Sequence, residues 1–186
     1  MDLILELRTK FSNKKSLVVD GSSAIKSSVL IPILKRNGNY QILFTKRTED
    51  VEHHKGQISF PGGVKNLEDE TVYDTATRES FEEIGLEKNN IEFLGVLNEV
   101  VTPSNFHITP IVGFIKENQK FNFNKSEVSE IFEIEIDKFF DEKYLRTEER
   151  IIFDKPRIIY FYDVWREPIW GATAYFVKQL VDLINE

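Results

Sequence analysis

The chain has no cysteine. That absence removes a disulfide framework, a thiolate nucleophile and any cysteine-based zinc site, and redox chemistry says nothing about compartment. A positive balance is also missing: 24 Lys and Arg stand against 31 Asp and Glu, a net charge of −7. Such a chain is poorly suited to hold nucleic acid through phosphate contacts, and no nucleic-acid partner is expected. An acidic protein that handles phosphate must bring cations to it, as local Lys or Arg or as bound metal. No window approaches the roughly 20 apolar residues that span a bilayer, so no membrane partner is expected either. The opening MDLILELRTKFSNKKS carries acidic residues within a short apolar stretch, unlike a signal peptide. The closing DLINE is neither a prenylation nor a peroxisomal address, which leaves the cytoplasm as the expected location. No repeat, low-complexity tract or Pro/Gly/Ser linker divides the chain.

What is present suits one domain. The 186 residues, 41% hydrophobic and with 15 Phe, can bury well over half of the unfolded surface in one core. We expect a single domain over residues 1–186, with its core from about 27 to 184 and a helix and lead-in over 1–26. Leu3, Leu5, Leu7 and Phe11 give residues 2–12 helical spacing. Apolar runs at 28–34 and 40–45 flank Asn37-Gly38-Asn39, a hairpin signal. A strand at 57–60 is stopped by Pro61-Gly62-Gly63. Further strands are predicted at 91–101, 108–115, 131–136 and 157–164, with Pro103 and Pro110 at or near strand ends. Helices are predicted over 70–84 and 173–184. Helices inserted among strands, without regular βαβ alternation, predict an α/β protein with a mixed sheet covered on both faces.

The informative segment is GGVKNLEDETVYDTATRESFEEIGL, residues 62–86. At about 100° per residue, Tyr73, Ala76, Thr77, Ser80, Phe81 and Ile84 form one packing stripe. Glu79, Glu82 and Glu83 gather on another face, and Gly85 closes the helix. Three carboxylates on one patch repel one another, and Arg78 can brace one of them without neutralising three. Hard oxygen donors at this density suit Mg²⁺ or Mn²⁺, which also bridge to phosphates. Gly62 and Gly63 offer backbone that a ligand can approach closely. Taken alone, RESFEE reads more simply as a solvated helix face. The whole string is another matter: a strand, a Pro-Gly-Gly turn, an acidic loop with Asp69 and Glu70, and a helix ending in Arg-Glu-x-x-Glu-Glu-x-Gly-Leu.

That string resembles the Nudix box: a glycine, five residues, a glutamate, seven residues, Arg-Glu, an aliphatic, any residue, Glu-Glu, any residue, glycine, an aliphatic. Counting from Arg78-Glu79 places Glu70, Glu82, Glu83, Gly85 and Leu86 in register. The opening glycine is Gly63 where Val64 would stand, so the loop is one residue longer, and Ser80 fills an aliphatic position. The resemblance implies an α/β/α sandwich whose loop-helix-loop holds divalent metal. Carried over by position, Glu79 and Glu83 are metal ligands, Glu82 assists them, Arg78 orients the carboxylates, and Glu70 is structural or peripheral.

The flanks are similar to one branch of that family, the coenzyme A pyrophosphatases. In LFTKRTEDVEHHKGQISFPGG (43–63), Arg47, His54, Gly56, Gln57 and the run from Phe60 to Gly63 match its upstream pattern, while Thr48, Val51 and Glu52 depart from it. The longer loop after Gly63 is a trait of the branch, and 101–115, 126–134 and 169–180 resemble its later segments. Coenzyme A carries a 5′-diphosphate and a 3′-phosphate, so Lys46, Arg47 and Lys55 are candidate phosphate contacts. His53 and His54 diverge as chain neighbours and lack a third ligand at metal spacing, so His54 is read as a hydrogen-bonding or structural group.

The expected reaction is metal-assisted attack of water on a diphosphate phosphorus, with Mg²⁺ or Mn²⁺ as cofactor and a nucleoside diphosphate compound as partner. A carboxylate takes the proton: Glu82 is one candidate, and Glu127 is another unless it is merely a surface residue. Hydrolysis of ADP-ribose or a similar compound is the alternative within enzymes, and a non-catalytic nucleotide-binding Nudix domain the alternative outside them. Monomer and homodimer both remain open.

Overall fold

The structure is a computed structural model that describes residues 2–20, 23–49, 56–116, 119–152 and 154–186. Helix α1 (Leu3–Asn13) is capped by Asp2, whose carboxylate accepts the amides of Ile4 and Leu5. It packs Ile4 and Leu7, with Leu3 and Phe11 in part, against the core, while Leu5 of the predicted stripe is 57% exposed. Strands β1 (Ile25–Arg36) and β2 (Asn39–Arg47) form a hairpin closed by Asn37 and Gly38 at φ 50° and 89°, the positive-φ pair that a tight hairpin requires.

β3 (Ile58–Ser59), β4 (Gly62–Val64), β5 (Ile91–Val96), β6 (Val100–Val101), β7 (Phe106–Ile115) and β8 (Val128–Glu135) complete an eight-stranded sheet. Its path is β3-β2-β1-β7-β5, with β4 paired to β1, β6 to β7 and β8 to β2. Among the described residues only β1 and β7 run parallel, which makes the sheet mixed as expected. The segment from Pro61 to Gly63 does not merely stop a strand: Gly62 and Gly63 pair with Val29 and Ser28 of β1. The predicted strand 91–101 is two strands, β5 and β6, parted opposite Pro110. Pro110 stands inside β7 rather than near its end, at a position facing that gap, where no ladder amide is required of it.

Helix α2 (Val72–Ile84) covers one face of the sheet, where Ala76 and Ile84 join Leu30, Leu34, Leu43 and Ile111 in one core cluster. α1 and α3 (Gly171–Asn185) cover the other, where Leu7, Phe176, Val177 and Leu180 pack with Ile31, Ile33 and Phe44. The layers are therefore helix, sheet, helix. The predicted strand 157–164 belongs elsewhere, to a separate three-stranded antiparallel sheet of β9 (Leu145–Ile152), β10 (Lys155–Tyr162) and β11 (Ile169–Trp170). β9, with its LRTEERII composition, gives no apolar alternation to announce it; pairing with β10 makes it a strand.

Candidate active site

α2 is held at both ends by local chemistry. Thr71 and Asp74 form a reciprocal capping box, and Gly85 ends the helix at φ 68°, with its amide on the Phe81 carbonyl. Within those limits Ala76, Thr77, Ser80 and Ile84 are buried as the stripe predicts, but Phe81 is 57% exposed and Glu83, placed with the other glutamates, is only 3% exposed. The three glutamates thus occupy different environments. Glu82 is largely solvated, Glu79 is half-buried, and Glu83 points inward beneath β4.

The two glycines make that arrangement possible. A Cβ on Gly63 would lie 2.4 Å from the Glu79 carboxyl carbon, and one on Gly62 would lie 2.4 Å from the Ser28 carbonyl oxygen. With no side chain there, α2 settles against β4 and the Gly62 amide donates to Glu83 Oε2 at 3.3 Å. Arg47 stands on the other side of Glu83, with Nη1 3.5 Å from Oε1. Neither partner offsets burial: desolvation, with Glu79 and Glu127 reinforcing it, pushes the Glu83 carboxyl up to about 8. Burial also raises Glu79, against the pull of Arg78 and with added repulsion from Glu82 and Glu127.

Arg78 engages all five of its N–H groups. It grips Asp69 with Nε and Nη2 (3.1 and 3.0 Å), donates to the Val64 carbonyl at 2.9 Å, and reaches Glu79 and Glu82 through Nη1 at 2.8 and 3.1 Å. Those Arg78 bonds hold the buried Asp69 carboxyl down at about 2. Asp69 is a residue to which sequence reasoning gave no role: it matches no box position, and only the fold shows it bracing the arginine that braces the glutamates. Glu70, the box residue beside it, is exposed and contributes its carbonyl to Lys65.

Glu127 arrives from a distant part of the chain. Its carboxylate accepts from the Asn124 side chain at 2.9 Å, and the Asn124 amide bonds the Glu83 carbonyl at 2.8 Å, tying this loop to the end of α2. Lys46 is not brought in. Strand alternation turns it away from Arg47, and its ammonium pairs with Glu167 at 2.5 Å. His54 and Lys55, like Glu52, lie outside the described residues. Among the described residues, no three Asp, Glu or His side chains are already gathered into a set that holds a metal ion; Arg78 occupies Glu79 and Glu82 instead.

A model of the NUDIX domain matches residues 25–155. The chain belongs to the Nudix family. It is 33% identical over 164 residues to a protein of Pectobacterium atrosepticum described as an uncharacterized Nudix hydrolase NudL, covering 87% of this chain and 83% of that one. It is also 31% identical over 194 residues to Nudix hydrolase 3 of Caenorhabditis elegans, covering 94% and 79% respectively. Among solved structures, a MutT/nudix family protein from Enterococcus faecalis superposes with a TM-score of 0.57 over 98% of this chain and 70% of its own, at 13% identity. That last likeness concerns the Nudix fold alone. Nudix hydrolases generally use divalent metal, and the chemistry of Glu79 and Glu83 suits one, since both are oxygen donors whose burial is inadequately neutralised, although Arg78 keeps Glu82 out of a ready-made three-carboxylate set.

Proposed function

We propose that this Nudix protein hydrolyses the diphosphate linkage of coenzyme A or its derivatives, yielding 3′-phosphoadenosine 5′-phosphate and the (acyl-)4′-phosphopantetheine. The observation that carries the hydrolytic chemistry is the buried Glu83 carboxylate, faced by Glu79 and Glu127 and touched by Arg47. Glu79 and Glu83 would hold Mg²⁺ or Mn²⁺, with Glu82 assisting once it leaves Arg78. Bound there, the cation would neutralise the cluster, draw charge from the phosphoryl oxygens and make a water more acidic.

The remaining work falls to the chain itself. Arg47, whose side chain is partly exposed, offers the outer edge of its guanidinium to the diphosphate, while its Nε is buried without a hydrogen-bond partner among the described residues. Glu127 takes the proton from the attacking water; its hydrogen-bond donor is the neutral Asn124 amide, whereas Glu82 faces the Arg78 guanidinium, which weakens a carboxylate as a base. A groove of about 600 Å³ on the outer side of α2 is a poor place for the diphosphate, because Glu68, Asp69, Glu70, Asp74 and Glu87 outweigh Arg78 and Lys88 in its lining. Preference for coenzyme A rests on the sequence flanks, Arg47 and the run from Phe60 to Gly63 among them. Action inside a single domain, in the cytoplasm, is part of the same reading.

The test is product analysis. Purified protein with Mg²⁺ or Mn²⁺ is given coenzyme A, dephospho-coenzyme A, ADP-ribose and NADH, and kcat/KM is compared. Coenzyme A should be cleaved best. If ADP-ribose proves the better substrate, the coenzyme A assignment falls; binding of these compounds without turnover of any would make the protein a nucleotide-binding module.

A further inference from the structure

β2 and β8 pair residue for residue from Gln41–Glu135 to Lys46–Glu130, and then Arg47 lies opposite Val128. Ser129 is the extra residue, a bulge in β8. In a regular strand Val128 and Glu130 would share a face. Here they stand opposite Lys46 and Arg47, which diverge: Lys46 to Glu167 on one face, Arg47 to Glu83 on the other.

The Ser129 hydroxyl donates to two consecutive carbonyls, Lys46 at 3.1 Å and Arg47 at 3.3 Å. Consecutive carbonyls of an extended strand point to opposite edges, so one hydroxyl reaches both only where the chain is turned. The turn is at Arg47, whose amide goes to the Gln57 carbonyl on the β3 side while its own carbonyl comes to Ser129 on the β8 side. One residue further, the Thr48 amide donates to the Glu127 carbonyl at 3.0 Å and the Thr48 hydroxyl to Ser126 at 3.1 Å. The bulge is thus flanked on its two strands by Arg47 and Glu127, charged residues from outside α2 that act on Glu83 alongside the Gly62 amide.

We propose that Ser129 is a positioning residue: its bulge and its hydroxyl aim Arg47 and Glu127 at Glu83. The proposal rests on the active-site reading given above. Ser129 bonds main-chain carbonyls and none of the site carboxylates, so it acts through Arg47 and Glu127.

Ser129→Val and Ser129→Thr test it, since they have nearly the same shape and only the second keeps the hydroxyl. Ser129→Val should lower kcat about tenfold with a smaller change in KM, while the urea midpoint stays near that of the parent. Ser129→Thr should restore kcat to within about twofold. Glu130→Gln breaks the contact with Arg166 on the opposite face and should leave kcat unchanged. A crystal structure of metal-free Ser129→Val supplies a readout free of turnover: Arg47 should move away from Glu83. Unchanged kcat in the valine variant, failure of threonine to rescue it, or an Arg47 that stays in place would each overturn the proposal. Should the parent protein cleave no nucleoside diphosphate at all, the functional reading falls, and the Arg47–Glu83 separation still decides whether Ser129 positions that arginine.

Discussion

Glu83→Gln should stabilise the metal-free protein while destroying its activity. Glu83 is 3% exposed, and burial raises its carboxyl from an ordinary 4.5 to about 8. A carboxyl raised in this way contributes most to stability below the unfolded value of 4.5, and that contribution is lost as pH climbs towards 8. At pH 7, each unit above 4.5 costs about 1.4 kcal/mol, or about 3 kcal/mol in all. Glutamine keeps the shape and an acceptor for the Gly62 amide, but gives up the Arg47 contact and leaves an NH₂ to be satisfied. The net gain should be about 1–3 kcal/mol in EDTA at pH 7. Urea unfolding across about pH 5 to 8 measures it: parent stability should fall through that window, and the variant's profile should be flatter. Saturating Mg²⁺ should reverse the order, because the ion stabilises only a protein that can bind it. If the glutamine variant is no more stable than the parent in EDTA at pH 7 to 8, the account of Glu83 as an uncompensated buried acid is wrong.

Gly63→Ala places a methyl 2.4 Å from the Glu79 carboxyl carbon; because a flexible carboxylate can swing aside, unfolding free energy should change by less than about 1 kcal/mol, while kcat falls by about 10²-fold or more. Parallel stability and rate measurements would show equal damage to both if the steric argument fails. Glu79→Gln should likewise lower kcat by about 10²-fold, and EDTA should abolish turnover until Mg²⁺ is restored; full activity in excess chelator rules the mechanism out. Asp69 is held down at about 2 from an ordinary 3.8, chiefly by Arg78. Its contribution, up to about 2 kcal/mol, should be present above about pH 4 and vanish as pH falls towards 2. Asp69→Asn should flatten that acid limb, and an unchanged acid midpoint would argue against the Asp69–Arg78 brace.

The elements legible in the sequence are those whose causes lie within a few residues. The Asn37-Gly38 turn, the Gly85 stop and the placement of Arg78, Glu79, Glu82 and Glu83 on one helix depend on positive φ and helical spacing, both local properties. The acidic box could therefore be read directly, and with it the family. Only the tertiary structure distinguishes the three glutamates, because burial depends on β4 and Gly62 packing against α2 from outside the helix. The same holds for Asp69 bracing Arg78, and for Glu127 reaching the cluster through Asn124. Lys46 and Arg47, adjacent in sequence and alike in charge, part company because a strand sends neighbours to opposite faces. β9 exists because β10 pairs with it, not because its own residues prefer a strand. Helical spacing and turn chemistry are written in neighbouring residues; burial, register and the electrostatics that follow from them are set by segments that meet only in the folded chain.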